Sequence, residues 1–124
     1  MIVKFIARHK QYEGWLIKDK LYVVLDIVAN CLDGSVEIVV KSEDIHTPIV
    51  VSLNEFEIID SRLISDWEVC VNDLDGLTLR HQKFSGDFWD KFHDADPNAE
   101  KVFWQVYNEL AKQLDSYKNG LEQM

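Results

Sequence analysis

Leu21-Tyr22-Val23-Val24-Leu25-Asp26-Ile27-Val28, the dipeptide Asp33-Gly34 and the return Ser35-Val36-Glu37-Ile38-Val39-Val40-Lys41 decide how this chain is read. Both flanks are rich in β-branched residues, which fit a pleated, half-buried surface. Asp-Gly between them favours a tight turn whose twist suits two antiparallel strands. The segment is therefore expected to be a β-hairpin. Upstream, Ile2-Val3-Lys4-Phe5-Ile6-Ala7-Arg8 reads as a half-buried strand, Gly14-Trp15-Leu16-Ile17 is a short apolar run, and Lys18-Asp19-Lys20 is a polar break. Downstream, residues 42–47 form a polar loop and Pro48 starts a strand over 49–53. Phe56-Glu57-Ile58-Ile59-Asp60 continues extended, Trp67-Glu68-Val69-Cys70-Val71-Asn72 alternates apolar with other residues, Asp75-Gly76 turns the chain, and Leu77-Thr78-Leu79-Arg80 alternates back.

The periodicity then changes. Asp87 is placed to cap a short helix carrying Phe88, Trp89 and Phe92. Asp96-Pro97 puts a capping acid before a proline at the first helical position. From there Ala99, Val102, Phe103, Val106, Tyr107, Leu110, Leu114 and Tyr117 recur at three and four residues, one apolar stripe of a helix about five turns long. Asn119-Gly120 is read as its stop. Strands over about 1–82 followed by helices over about 87–118 define an α+β fold. The expected architecture is a strongly bent antiparallel sheet or partial barrel of about six short strands, then a short helix and a long C-terminal helix, in one domain over residues 1–124.

Charge separates the function classes. The 124 residues carry 22 acids and 13 bases, a net charge of −9. That balance disfavours nucleic acid and anionic membrane surfaces and favours a cationic partner. Residues 42–76 hold nine acids (Glu43, Asp44, Glu55, Glu57, Asp60, Asp66, Glu68, Asp73, Asp75) against Arg62 alone, so the excess is concentrated in one stretch. Cys31 and Cys70 have no metal or redox spacing and sit among apolar neighbours, as buried free thiols do. No signal peptide and no apolar run of spanning length is evident, so a cytoplasmic protein is expected.

Catalytic and cofactor signatures are missing from the sequence: there is no phosphate loop, no dinucleotide fingerprint and no nucleophile elbow. His93-Asp94-Ala95-Asp96, with His81, is the best candidate for metal ligands, but Asp96 already serves as a helix cap. No metal, cofactor or catalysis is expected. His9 and His46 read as surface residues, and Trp15, Trp67 and Trp89 as core. Trp104 falls off the centre of the apolar stripe, where it is either covered by a neighbouring element or free to anchor a partner.

Three segments together carry a resemblance. They are Lys18-Asp19-Lys20-Leu21-Tyr22-Val23-Val24-Leu25-Asp26-Ile27, then Phe56-Glu57-Ile58-Ile59-Asp60-Ser61-Arg62-Leu63-Ile64-Ser65-Asp66-Trp67, then Asp87-Phe88-Trp89-Asp90-Lys91-Phe92-His93-Asp94-Ala95-Asp96 with Ala99 and Phe103. Their order resembles small immunity proteins of bacterial polymorphic-toxin systems, including contact-dependent growth inhibition. The resemblance implies a cytoplasmic protein that binds one cognate toxin domain, often a nuclease with a cationic cleft, and blocks its active site. It transfers no site residue. From charge and exposure, the expected partner-binding residues are Glu55, Glu57, Asp60, Asp66, Glu68, Asp73 and Asp75, with Trp104 as an anchor. The alternatives are a non-catalytic adaptor or assembly subunit, marked by an apolar patch, and a small hydrolase built on the scattered carboxylates.

Overall fold

The structure, a computed structural model, describes all residues but 13, 44–46, 64–65, 73–75 and 123–124; the side chains of residues 10, 72, 121 and 122 are also outside the description. Among the described residues, eight strands form two antiparallel sheets. A three-stranded sheet has the order β2-β1-β6, and a five-stranded sheet the order β5-β4-β3-β8-β7. The strands are β1 (Ile2–Phe5), β2 (Leu21–Val23), β3 (Asp26–Asn30), β4 (Val36–Lys41), β5 (Pro48–Ser52), β6 (Phe56–Asp60), β7 (Trp67–Asn72) and β8 (Gly76–His81). Helices α1 (Phe88–His93) and α2 (Pro97–Glu122) complete the fold. The α+β class stands as expected, and neither sheet closes into a barrel.

The run 21–28 does not form one strand. It splits into β2 and β3, which belong to different sheets, and the chain crosses between them at Val24-Leu25. The hairpin itself is present, with Ile27 facing Ile38 and Ala29 facing Val36. Gly34 takes a positive φ of 73° in its turn, which a residue with a Cβ adopts at a cost. The apolar run 14–17 is not a strand.

Alternation sorts the five-stranded sheet into two faces. Ile27, Ile38, Val40 and Val51 pack against Val3, Phe5, Tyr22 and Phe56, so the first core lies between the sheets. Val39, with Val23 and Leu25, meets Phe84, Phe88, Phe103, Val106 and Leu110, so the second core lies under the helices. Phe84 stacks on Phe88 at 4.7 Å, and Phe92 meets Phe103 at 4.8 Å. Both separations lie in the range that aromatic pairs prefer.

The helices differ from expectation in two places. Asp87 sits at the N-cap of α1, but its side chain makes no capping hydrogen bond. It lies 3.6 Å from Lys91 Nζ instead, one turn on. Helix α2 runs 26 residues, about seven turns, and passes through Asn119-Gly120. Gly120 stays helical because glycine permits a left-handed stop without imposing one. Asp96 does cap α2, accepting from the Asn98 N–H at 2.9 Å.

Candidate functional site

The acidic stretch is partly neutralised from within. Glu43 pairs with Lys20 and accepts from Tyr22 Oη at 3.1 Å. Asp60 takes Arg62 in a fork, 3.0 Å from Nε and 2.7 Å from Nη2, which holds its carboxyl well below the usual range. Glu55 leaves the expected binding face altogether. It is 2% exposed and takes both the ring and the backbone N–H of His9. Burial would raise its pKa, but those hydrogen bonds outweigh it and the carboxyl is lowered. His9 is exposed as expected, yet it has this partner, 46 residues away in sequence.

Glu57, Asp66 and Glu68 make no ion pair with a described residue. Glu57 stands exposed on β6, at the edge of the small sheet. Asp66 and Glu68 stand at the start of β7, at the edge of the large one. Asp73 and Asp75 lie outside the described residues. The carboxylates therefore divide between two sheets and do not form a single face.

The β7 edge carries the most exposed apolar side chains of the sheet. One row of cross-strand partners runs Val51, Ile38, Ile27, Leu79, Val69, and the next runs Val36, Ala29, Leu77, Val71. The first row begins fully buried at Val51 and Ile38, is half-buried at Leu79, and ends at Val69, which is 62% exposed; Val71 is 78% exposed. Glu68 projects to the opposite face of the same strand by alternation. A partner gripping this edge meets apolar surface on one side and a carboxylate on the other.

Trp104 is 42% exposed. Its ring and that of Tyr107 receive Lys41 Nζ, at 5.6 and 4.8 Å from the two centroids, a shared cation–π contact. Trp15 is 47% exposed and not core, while Trp67 and Trp89 are half-buried. Cys31 is exposed and Cys70 half-buried, so the expectation of two buried thiols is corrected. Leu32 and Cys31 sit in the β3–β4 turn, where apolar neighbours in sequence are not neighbours in a core.

The metal candidates disperse. His81 is buried, and its Nδ1 accepts from the Lys83 N–H at 3.1 Å. His93 stacks on Trp89, and Asp96 is a helix cap. Among the described residues no group of three or more His, Cys, Asp or Glu side chains converges, and no helix is long and apolar enough to cross a membrane.

A second polar site has no counterpart in the sequence reading. Asp26 is 3% exposed. Its Oδ2 lies 3.3 Å from Arg80 Nη2, while its Oδ1 has no hydrogen-bond partner. The Trp89 indole nitrogen sits near enough to favour the carboxylate, yet completes no hydrogen bond. Burial dominates and raises the Asp26 pKa to about 7, against the opposing pull of Arg80. Asp26 and Trp89 line a cavity of about 230 Å³ with Val28, Val39, Pro48, Val50 and His93.

Comparison of the chain with protein-family models, with curated proteins and with solved structures finds no match.

Proposed function

We propose that this protein is an immunity-type inhibitor: it binds a cationic toxin domain and occludes its active site, with the β7 edge as the centre of contact. The observation that carries this reading is the row of core positions that runs out to exposed Val69, with Val71 exposed beside it, on an edge strand. Large apolar side chains left uncovered beside an open edge suit a protein interface. Asp66 and Glu68 flank them and make no ion pair with a described residue, so their charge is available to a basic partner. The net charge of −9 steers such a partner in, and the three-segment resemblance points the same way. The valines would set the dissociation rate and the carboxylates the association rate. Glu55 has no part in it, Glu57 and Asp60 are peripheral, and Trp104 lies on the helix layer away from β7.

The test is affinity capture from native cells with the tagged wild type and with Val69→Asp/Val71→Asp, followed by mass spectrometry. The expected result is a basic protein, eluted by high salt and lost from the variant while thermal stability is kept. Equal capture by both proteins would sink the proposal. A salt-resistant complex would favour the adaptor reading, which the apolar half of the same patch also suits.

A further inference from the structure

The cavity under α1 combines features that a packed core avoids. A buried carboxylate oxygen without a partner costs free energy, and native proteins rarely leave one. Here the orphan Oδ1 of Asp26 belongs to a residue lining a cavity whose other walls are mostly aliphatic. The cavity opens to solvent beside Val50, an exposed residue of edge strand β5, and His93, exposed at the end of α1. Arg80 already holds Oδ2, so Oδ1, buried beside the Trp89 indole, is the carboxylate oxygen left without a hydrogen bond at the cavity wall.

The geometry points to a binding site for an organic cation, an ammonium or guanidinium on a short apolar stem, with Asp26 as its counter-ion. The stem would lie against Val28, Val39, Pro48 and Val50, and the headgroup would reach Asp26 beside the Trp89 indole. An anion would meet a carboxylate there. A neutral guest of the same shape would leave the ionised oxygen unmet. A carboxylate between two cations, Arg80 and the guest, has both oxygens satisfied. Binding would also fix the ionised form of Asp26, so it would release a proton below the pKa of about 7. The charged group beside Asp26 is Arg80 from β8, the titratable His93 from α1 lines the same cavity, and Glu68 on β7 lies opposite Arg80. The site stands independently of the toxin reading, because it is tested on the purified protein alone.

The experiment is a titration of the ¹⁵N-labelled protein with butylguanidinium chloride, followed at the Trp89 indole resonance. A saturable shift is expected, about tenfold tighter at pH 8 than at pH 6, given a pKa of about 7. Asp26→Asn should weaken binding at least tenfold, and the pH dependence should survive in His93→Asn. Should Asp26→Asn fail to fold, Val50→Phe, at an exposed position beside the mouth, should block the cavity with Asp26 intact. The assignment is overturned if no shift saturates, if 1-butanol binds as tightly as butylguanidinium, or if folded Asp26→Asn or Val50→Phe binds as the wild type does. A blocked Gly-Gly-Arg-Gly-Gly peptide separates the two sources of this headgroup. Binding equal to that of the free cation assigns the cavity to a protein side chain, and exclusion of the peptide assigns it to a free amine.

Discussion

Replacing Asp26 by asparagine should stabilise the protein above neutral pH and leave it nearly unchanged in acid. In the folded state burial holds the Asp26 pKa at about 7, against an ordinary value of 3.8. Between those values the folded protein keeps a proton that the unfolded chain has lost. Unfolding stability therefore falls by about 1.4 kcal/mol per pH unit across that window, about 4 kcal/mol in all. Asparagine copies the neutral acid in shape and charge, and the neutral acid already leaves Arg80 without a counter-ion. At pH 4 the two proteins should differ by less than about 1 kcal/mol, as a near-isosteric change does. At pH 8 the variant should be the more stable by about 4 kcal/mol, which at roughly 3–5 °C per kcal/mol is a difference in Tm of about 12–20 °C.

The comparison must be between variant and wild type at each pH. Other groups titrate too: the Met1 amino group, lowered by burial to about 6, makes the folded state gain stability as pH rises from 6 to 8. That contribution is common to both proteins and cancels in the difference. Urea unfolding at pH 4, 6 and 8, read by tryptophan fluorescence, gives the numbers. If the asparagine variant were less stable by the same amount at every pH, Asp26 would not titrate in this window. The Asp26–Arg80 pair would then be a net stabilising ion pair, contrary to the expected balance of burial against attraction.

Two acids two residues apart should behave oppositely. Glu55→Ala removes a buried carboxylate that holds the ring and backbone N–H of His9, and should cost about 2–3 kcal/mol by urea unfolding. Glu57→Ala, at an exposed site without an ion pair, should stay within about 0.5 kcal/mol. Because the Glu55 pKa is lowered on folding, its contribution is present above the ordinary carboxylate range and is lost as pH falls through the folded value. Gly120→Ala should raise helix content by circular dichroism and stability by about 0.5 kcal/mol, since Gly120 is helical and nothing lies within 4 Å of an added Cβ. A drop in Tm would show that the helix stops there after all.

Local chemistry was legible where it acts locally. The Asp33-Gly34 hairpin, the Asp96-Pro97 helix start and the alternation of β7 depend on residues near one another, and each appears in the structure. The split of residues 21–28 was not legible. Val23 and Leu25 pack under the helices while Val24 and Ile27 pack between the sheets, so apolar residues stand on both faces and no period betrays the crossing. Asp26 was the one irregular letter in that run, and a lone acid between apolar residues buried on both faces is the signal that could have marked it. Glu55 looked like its neighbours because its partner, His9, lies in another part of the chain. Alternation placed Val69 and Val71 with Trp67, but only the strand order puts β7 at an edge, where both valines stand exposed.

The β7 edge also explains why exposed valines and carboxylates belong together under the proposed function. An open apolar edge strand can pair with a second copy of itself as readily as with a partner. Two copies approaching edge to edge would bring Asp66 and Glu68 of one against those of the other, and neither carboxylate makes an ion pair with a described residue that would relieve the repulsion. A basic partner meets the same carboxylates as attraction. The internal pairing of Glu43 with Lys20 and of Asp60 with Arg62 sharpens this selection, because it quiets acids elsewhere in the stretch and leaves carboxylates without an ion pair at the edge. Specificity is a difference between affinities, and at β7 one set of side chains supplies both sides of that difference.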